Sequence, residues 1–161
     1  MKKHLFKRKT FLLITSIVIF VDQLTKYLAT RMLNENNQIT LIPNIINLHL
    51  VRNTGAAFSL FSTATTILGT LSLCVTLVLL FLIIRSKSFT LWRGLGLSFL
   101  LAGSFGNGLD RWRYGYVNDF IELVPINFPI FNAADIAINI ALICFLIEST
   151  RKRNNNKINS T

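Results

Sequence analysis

The residues of this chain point to an α-helical integral membrane protein, with four transmembrane helices and a small extracytoplasmic β platform. Three observations lead there. The 161 residues are 52% hydrophobic and 15% charged, with a mean hydropathy of +0.51, too apolar for a soluble domain of this size. Residues 65–84 form an uncharged run of the length a bilayer core demands, roughly 20 helical residues. Lysine and arginine fall in short flanks of the apolar segments rather than on one domain face.

The first apolar segment, residues 11–28, is interrupted late by Asp22 and Lys26. Its basic start resembles a signal peptide. No small-x-small cleavage site follows, however, and the segment continues through "DQLTKYLATRML", so a retained helix is expected. An outer connection, residues 34–62, contains "ITLIPNIINLHLVRNTGAAFSLF", rich in β-branched residues and broken by Pro43 and by Asn53-Thr54-Gly55. That pattern predicts two or three short strands with a glycine turn, and its apolar character predicts a platform lying on the membrane surface. Residues 65–84 are the second span. A short basic loop leads to the third, residues 94–109, which reaches the interfaces by borrowing flanking residues. The loop that follows holds Trp112, Tyr114 and Tyr116 as headgroup-level anchors. Residues 130–147 complete the set.

Four spans place both termini on one side. Lys2, Lys3, Lys7, Arg8 and Lys9, the loop residues Arg85, Lys87 and Arg93, and Arg151, Lys152, Arg153 and Lys157 would share it, which makes it cytoplasmic. The net charge of +10 is then a topology signal with added attraction to anionic lipid, and nucleic acid is not an expected partner. Of the seven acidic residues, all but Glu148 fall on or near the outer side. Cys74 and Cys144 lie mid-span as packing residues. His4 and His49 are too far apart to build a zinc site.

Four constellations gather the polar residues. In "DQLTK", Asp22 and Lys26 share a helix face at i, i+4, either as an ion pair that orients the span or as a brace for a polar site. "RNTGAAF" offers an ordinary turn at Asn53 to Gly55, or a place where backbone approaches a ligand. "GNGLDR" presents Asn107, Asp110 and Arg111 on one helix face. Asp110 suits a local charge network, while Asn107 and Arg111 suit support of a site, and Gly103 and Gly106 allow close helix packing. Last come "NDFIE" and "FNAAD". Asp135 lies below the outer surface, about 8 Å into its span at 1.5 Å per residue, with Asn132 on its face. An intramembrane carboxylate marks a functional site or a buried pair, here with a residue such as Arg111.

Asp119 precedes Asp135 closely enough in the chain to join it. Two close carboxylates in a low-dielectric site share a proton, giving one acid and one base at neutral pH. Such a pair can activate water and protonate a leaving amine, which is peptide hydrolysis without metal, cofactor or covalent intermediate. No serine, cysteine or histidine arrangement competes.

In their order, "DQLTK", "NTGAAF", "GNGLDR", "NDFI" and "FNAAD" resemble the bacterial lipoprotein signal peptidases, or type II signal peptidases, over nearly the whole chain up to the tail. The resemblance implies a membrane aspartic peptidase of the bacterial cytoplasmic membrane, with both termini cytoplasmic. It would act near the extracytoplasmic face, removing signal peptides from prolipoproteins before a cysteine that carries a diacylglyceryl group. It implies Asp119 and Asp135 as the catalytic aspartates. Asp22, Lys26, Asn53, Gly55, Asn107, Asp110, Arg111 and Asn132 become substrate-binding or site-supporting residues. Metals and cofactors are not implied. The chain departs from the family at Asn118, where valine is more usual; an asparagine there could add a hydrogen bond to Asp119. Membrane lipid and the prolipoprotein are the expected partners, and a monomer suffices. Residues 1–150 are expected to form a single four-helix membrane peptidase domain, residues 45–61 to cover the site, and residues 151–161 to form a basic, disordered cytoplasmic tail. Two other classes fit less of the pattern: a proton-coupled transporter relaying through Asp22, Asp110 and Asp135, and a structural protein whose polar residues only hold helices together.

Overall fold

The computed structural model describes residues 5–55, 65–86, 88–126 and 128–158. In chain order these form β1 (Leu5–Phe6), α1 (Arg8–Met32), β2 (Gln38–Ile42), β3 (Ile46–Asn53), α2 (Thr65–Arg85), β4 (Phe89–Thr90), α3 (Leu91–Tyr114), β5 (Val117–Leu123) and α4 (Ala133–Ile158).

Helices α1, α2 and α4 are each long and apolar enough to cross a membrane. Helix α3 has the length, at 24 residues, but its glycines and polar side chains lower its hydropathy. Length and composition therefore identify three spans among the described residues where four were expected. Helix α3 packs against α1, α2 and α4, and small residues let the neighbours close on it. A Cβ at Gly103 would stand 2.6 Å from the Ala134 carbonyl oxygen of α4, and one at Gly106 would run into the Asp22 carboxylate of α1. Exposure is inverted relative to a water-soluble protein. Phe20, Ile67 and Leu142 are 65%, 69% and 56% exposed, while Asp22, Lys26, Ser98, Asn107, Asp110 and Asn132 are buried. That is the arrangement a hydrocarbon solvent selects.

At one end, β1 pairs with β4 above a core of Phe6, Phe11, Leu79, Ile83, Phe89 and Leu97. This two-residue ladder leaves no pattern in the sequence. At the other end, β2, β3 and β5 form an antiparallel sheet in that order. Two of its strands come from residues 34–62, as the composition suggested. The third is β5, which lies in the connection after the third span that was expected to be a loop; Asn118 and Asp119 are poor strand formers, and pairing with β3 makes the strand. Leu50 of β3 and Phe120 of β5 pack with Ala29 and Leu33 at the end of the first helical segment, which seats the sheet on α1. Helix α3 ends at Gly115, whose φ of 79° is the left-handed conformation that glycine adopts without penalty. The chain then turns directly into β5.

Helix α4 continues through Arg151 and Lys152 to Ile158, into the segment expected to be a disordered tail. No proline or glycine occurs between Ala133 and Ile158 to stop it. Of the expected platform, residues 56–61 lie outside the described residues.

Candidate active site

Asp119 enters the site from β5, opposite Val51 of β3. Asp135 enters from the first turn of α4. The sequence placed Asp135 inside its helix with Asn132 on the same face. In the structure the helix begins later, and Asn132 is its N-terminal cap. The Asn132 side-chain oxygen accepts the Asp135 N–H at 3.1 Å, and Asp135 Oδ2 accepts the Asn132 N–H at 3.1 Å. This is a reciprocal capping box, which satisfies helix-end donors with the side chains of residues three apart.

Asn132 reaches further. Its Nδ2 donates to Asp119 Oδ1 at 2.6 Å and to Asn107 Oδ1 at 3.2 Å. Asn107 in turn donates to Asp135 Oδ1 at 2.8 Å. Asn53, the last residue of β3, donates to Asp119 Oδ2 at 2.8 Å and accepts the Gly55 N–H at 2.9 Å. Three asparagines from three elements thus hold the two carboxylates.

Behind them lies a charged layer. Lys26 Nζ sits 3.0 Å from Asp22 Oδ2, donates to Asn107 Oδ1 at 2.8 Å, and lies 3.0 Å from Asp110 Oδ2. The last contact is outside hydrogen-bonding angles, so it is Coulombic. Gln23 donates to both Asp22, at 3.1 Å, and Asp110, at 3.2 Å. Asp22 Oδ1 accepts the Ala134 N–H at 2.9 Å, so α1 caps the start of α4. One lysine serves two buried carboxylates, and the Gln23 amide and the Ala134 N–H supply the further donors that buried carboxylate oxygens require. Gln23, which the sequence reading passed over, is the bridge between them. Its signal was its place beside Asp22 in "DQLTK".

The face of "GNGLDR" divides. Asn107 and Arg111 line a cleft of about 560 Å³ together with Asn53, Asp119, Asp135 and apolar residues of α4. Asp110 instead lines a second cavity, of about 830 Å³, with Gln23, Lys26 and Asn118. Arg111 does not pair with Asp135. Its Nη2 donates to the Gly55 carbonyl at 2.8 Å and its Nη1 to the Asn107 carbonyl at 3.4 Å, tying α3 to the turn that leaves β3. In "NTGAAF", Ala56 to Phe58 lie outside the described residues. Asn118 gives Asp119 no hydrogen bond, because neighbouring strand residues point to opposite faces. Its buried Oδ1 has no hydrogen-bond partner among the described residues.

Burial raises the Asp119 carboxyl from 3.8 to about 6. The hydrogen bond from Asn53 opposes the rise, the charge of Asp135 adds to it, and Asn132 and Lys26 oppose it more weakly. The cleft therefore holds one carboxyl poised to keep a proton near neutral pH beside a second carboxyl. Such a pair can pass protons to and from a water and a bound carbonyl group. Among the described residues no three histidine, cysteine, aspartate or glutamate side chains cluster as metal ligands.

Comparison with known proteins bears on this geometry. Residues 14–151 match the family model described as signal peptidase (SPase) II. The chain is 48% identical over 157 residues to the lipoprotein signal peptidase of Parasynechococcus marenigrum (strain WH8102), covering 98% of this chain and 99% of that one. It is 47% identical over 148 residues to that of Synechococcus sp. (strain RCC307), covering 91% and 98%. A bacterial membrane enzyme structure determined by the in meso method at 2.3 Å resolution superposes with a TM-score of 0.87 at 29% identity, covering 96% of each chain.

Proposed function

Because the chain belongs to the signal peptidase II family, membrane peptidases that remove signal peptides from prolipoproteins, we infer that Asp119 and Asp135 are the acids that hydrolyse the peptide bond. The observation that carries this reading is the shared hold of Asn132 and Asn107 on two carboxylates that line one cleft. Asp119, raised to about 6, holds the shared proton. Asp135 sits in the first turn of α4, where aligned peptide dipoles favour negative charge, and serves as the base.

A water between the carboxylates gives a proton to Asp135 as its oxygen bonds to the scissile carbonyl carbon. The carbonyl oxygen takes the Asp119 proton, which gives a gem-diol. Asp119 then recovers a proton from one hydroxyl as the C–N bond breaks, and the proton on Asp135 passes to the leaving amine. Both acids return to their starting states, and one water has been consumed.

The substrate cysteine carries a diacylglyceryl group in this reading. The apolar α4 side of the cleft, Ile136, Ile140 and Ile143, supplies a surface for its acyl chains. Helix α3 is the fourth span, its polar residues turned inward between the other helices. Both termini are cytoplasmic, which the distribution of basic residues supports, so the carboxylates lie near the extracytoplasmic face of the bacterial inner membrane. Asp22, Lys26, Asp110 and Gln23 brace the acids, Arg111 holds the turn at Gly55, and the chain acts as a monomer.

The test is incubation of the purified protein with matched prolipoproteins, with and without the diacylglyceryl group, and mass spectrometry of the products. The expected result is a single cut on the N-terminal side of the lipidated cysteine. Equal cleavage of the unlipidated precursor, or a cut elsewhere, would overturn the substrate reading.

A further inference from the structure

Helix α4 presents three cleft-lining residues one turn apart: Asp135, Asn139 and Ile143. At 1.5 Å per residue each step descends about 6 Å, and residues at i and i+4 share a face. The stripe grades from a carboxylate, through an amide, to an aliphatic side chain. Asn139 is exposed, and its neighbours in the cleft, Ile136, Ile140 and Ile143, are apolar. One hydrogen of its amide goes to the Asp135 carbonyl at 3.0 Å. The amide forms no other hydrogen bond among the described residues, which leaves one donor hydrogen and the side-chain oxygen free. An amide left open on an apolar face is costly unless a ligand uses it. A few polar groups set in an apolar cleft are what orients a ligand.

We propose that Asn139 is a specificity-determining residue that donates its free amide hydrogen to an ester carbonyl of the diacylglyceryl group on the substrate cysteine. The inference rests on the reading of Asp119 and Asp135 as the hydrolytic pair acting on that lipidated substrate. The chemistry of such a substrate runs in the same order as the stripe. The scissile amide lies at Asp135. A short thioether and glyceryl arm carries ester carbonyls about one helical turn deeper, and the acyl chains continue towards Ile143. Ester oxygens are acceptors only, so the complementary group must be a donor, and Asn139 supplies one. Aliphatic residues alone would bind the chains without distinguishing an ester from any other linkage. The amide makes the cleft a reader of acylated glycerol.

The experiment compares two synthetic prolipoprotein peptides, one with a diacylglyceryl cysteine and one with the corresponding dialkyl ether, which keeps the chains and lacks the carbonyls. Wild type is expected to show a KM about fivefold or more higher for the diether, the loss of one hydrogen bond in an apolar site, with kcat little changed. Asn139→Leu, and separately Asn139→Ala, should lose the distinction, treating both peptides like wild type with the diether. An unchanged diester preference in both variants would overturn the role of Asn139, as would a wild type indifferent to the linkage. Failure of wild type to cleave the diester peptide at all would instead overturn the functional reading, and this inference with it.

Discussion

Asn132 Nδ2 stands 2.6 Å from Asp119 Oδ1, so the residue that caps the helix of one acid also grips the carboxylate of the other. Strand β5 and helix α4 are thereby fixed to each other at the point where the two acids face one cleft.

Replacing Asn132 with alanine removes the cap and the grip together. The cap alone is worth about 1 kcal/mol of stability. Misplacing a catalytic group by an ångström can cost about a hundredfold in rate. Asn132→Ala is therefore expected to fold, with a modestly lower Tm in detergent, and to lose kcat by up to about a hundredfold with a smaller change in KM. A kcat near that of wild type would show that the carboxylates need no such tie.

The raised Asp119 carboxyl makes two pH predictions. Between 3.8 and about 6 the folded protein binds a proton that the unfolded chain has released. The stabilisation is thus fully present below the lower value and is lost as pH rises through about 6, on the order of 3 kcal/mol. Asp119→Asn lacks this titration, so wild type should lose Tm relative to the variant across that window. In the proposed mechanism the proton held by Asp119 is required, so kcat/KM should decline above a pH of about 6. A Tm difference that stays constant with pH, or a flat rate profile, would contradict the assignment.

Gly106 is the position where α1 and α3 approach most telling ground, because an added Cβ meets the Asp22 carboxylate. Gly106→Ala should push Asp22 from the Ala134 N–H it caps, costing about 1–3 kcal/mol and misplacing the first turn of α4. Thermal unfolding and turnover measured together check this, since both should fall. Unchanged turnover would mean that the tie between α1 and α4 is not needed for activity.

Lys26 and Arg52 make a paired test of burial. Lys26→Met leaves Asp22 and Asp110 without their shared cation, and breaking a buried pair costs about 3–5 kcal/mol. Arg52 and Glu35, 2.8 Å apart, are each more than half exposed, so Arg52→Ala should change stability by no more than about 1 kcal/mol. Yield of folded protein and Tm separate the two outcomes.

Long features were the legible ones. An uncharged run such as residues 65–84 has few fates other than a buried or spanning helix, and a carboxylate in "FNAAD" stands out against its surroundings. Features settled by tertiary pairing were not legible. Strand β5 carries Asn118 and Asp119, which local preference assigns to loops, and becomes a strand because β3 offers it a partner. The ladder between Leu5–Phe6 and Phe89–Thr90 is too short to show any periodicity. Spacing placed Asn107, Asp110 and Arg111 on one face, yet successive helical residues differ by about 100°. On a helix surrounded by neighbours, that angle sends Arg111 to the turn at Gly55 and Asp110 to Lys26. The start of α4 depends on whether Asn132 caps or continues the helix, and the hydrogen bonds of the cap decide it.

The most direct measurement is single-turnover cleavage of a diacylglyceryl-modified prolipoprotein by wild type, Asp119→Asn and Asp135→Asn, each verified as folded by its Tm. Wild type should cleave, and each variant should lose about 10²- to 10⁴-fold in rate, the contribution of a positioned acid or base. Near-normal cleavage by either folded variant would contradict the assignment of these two aspartates as the hydrolytic pair.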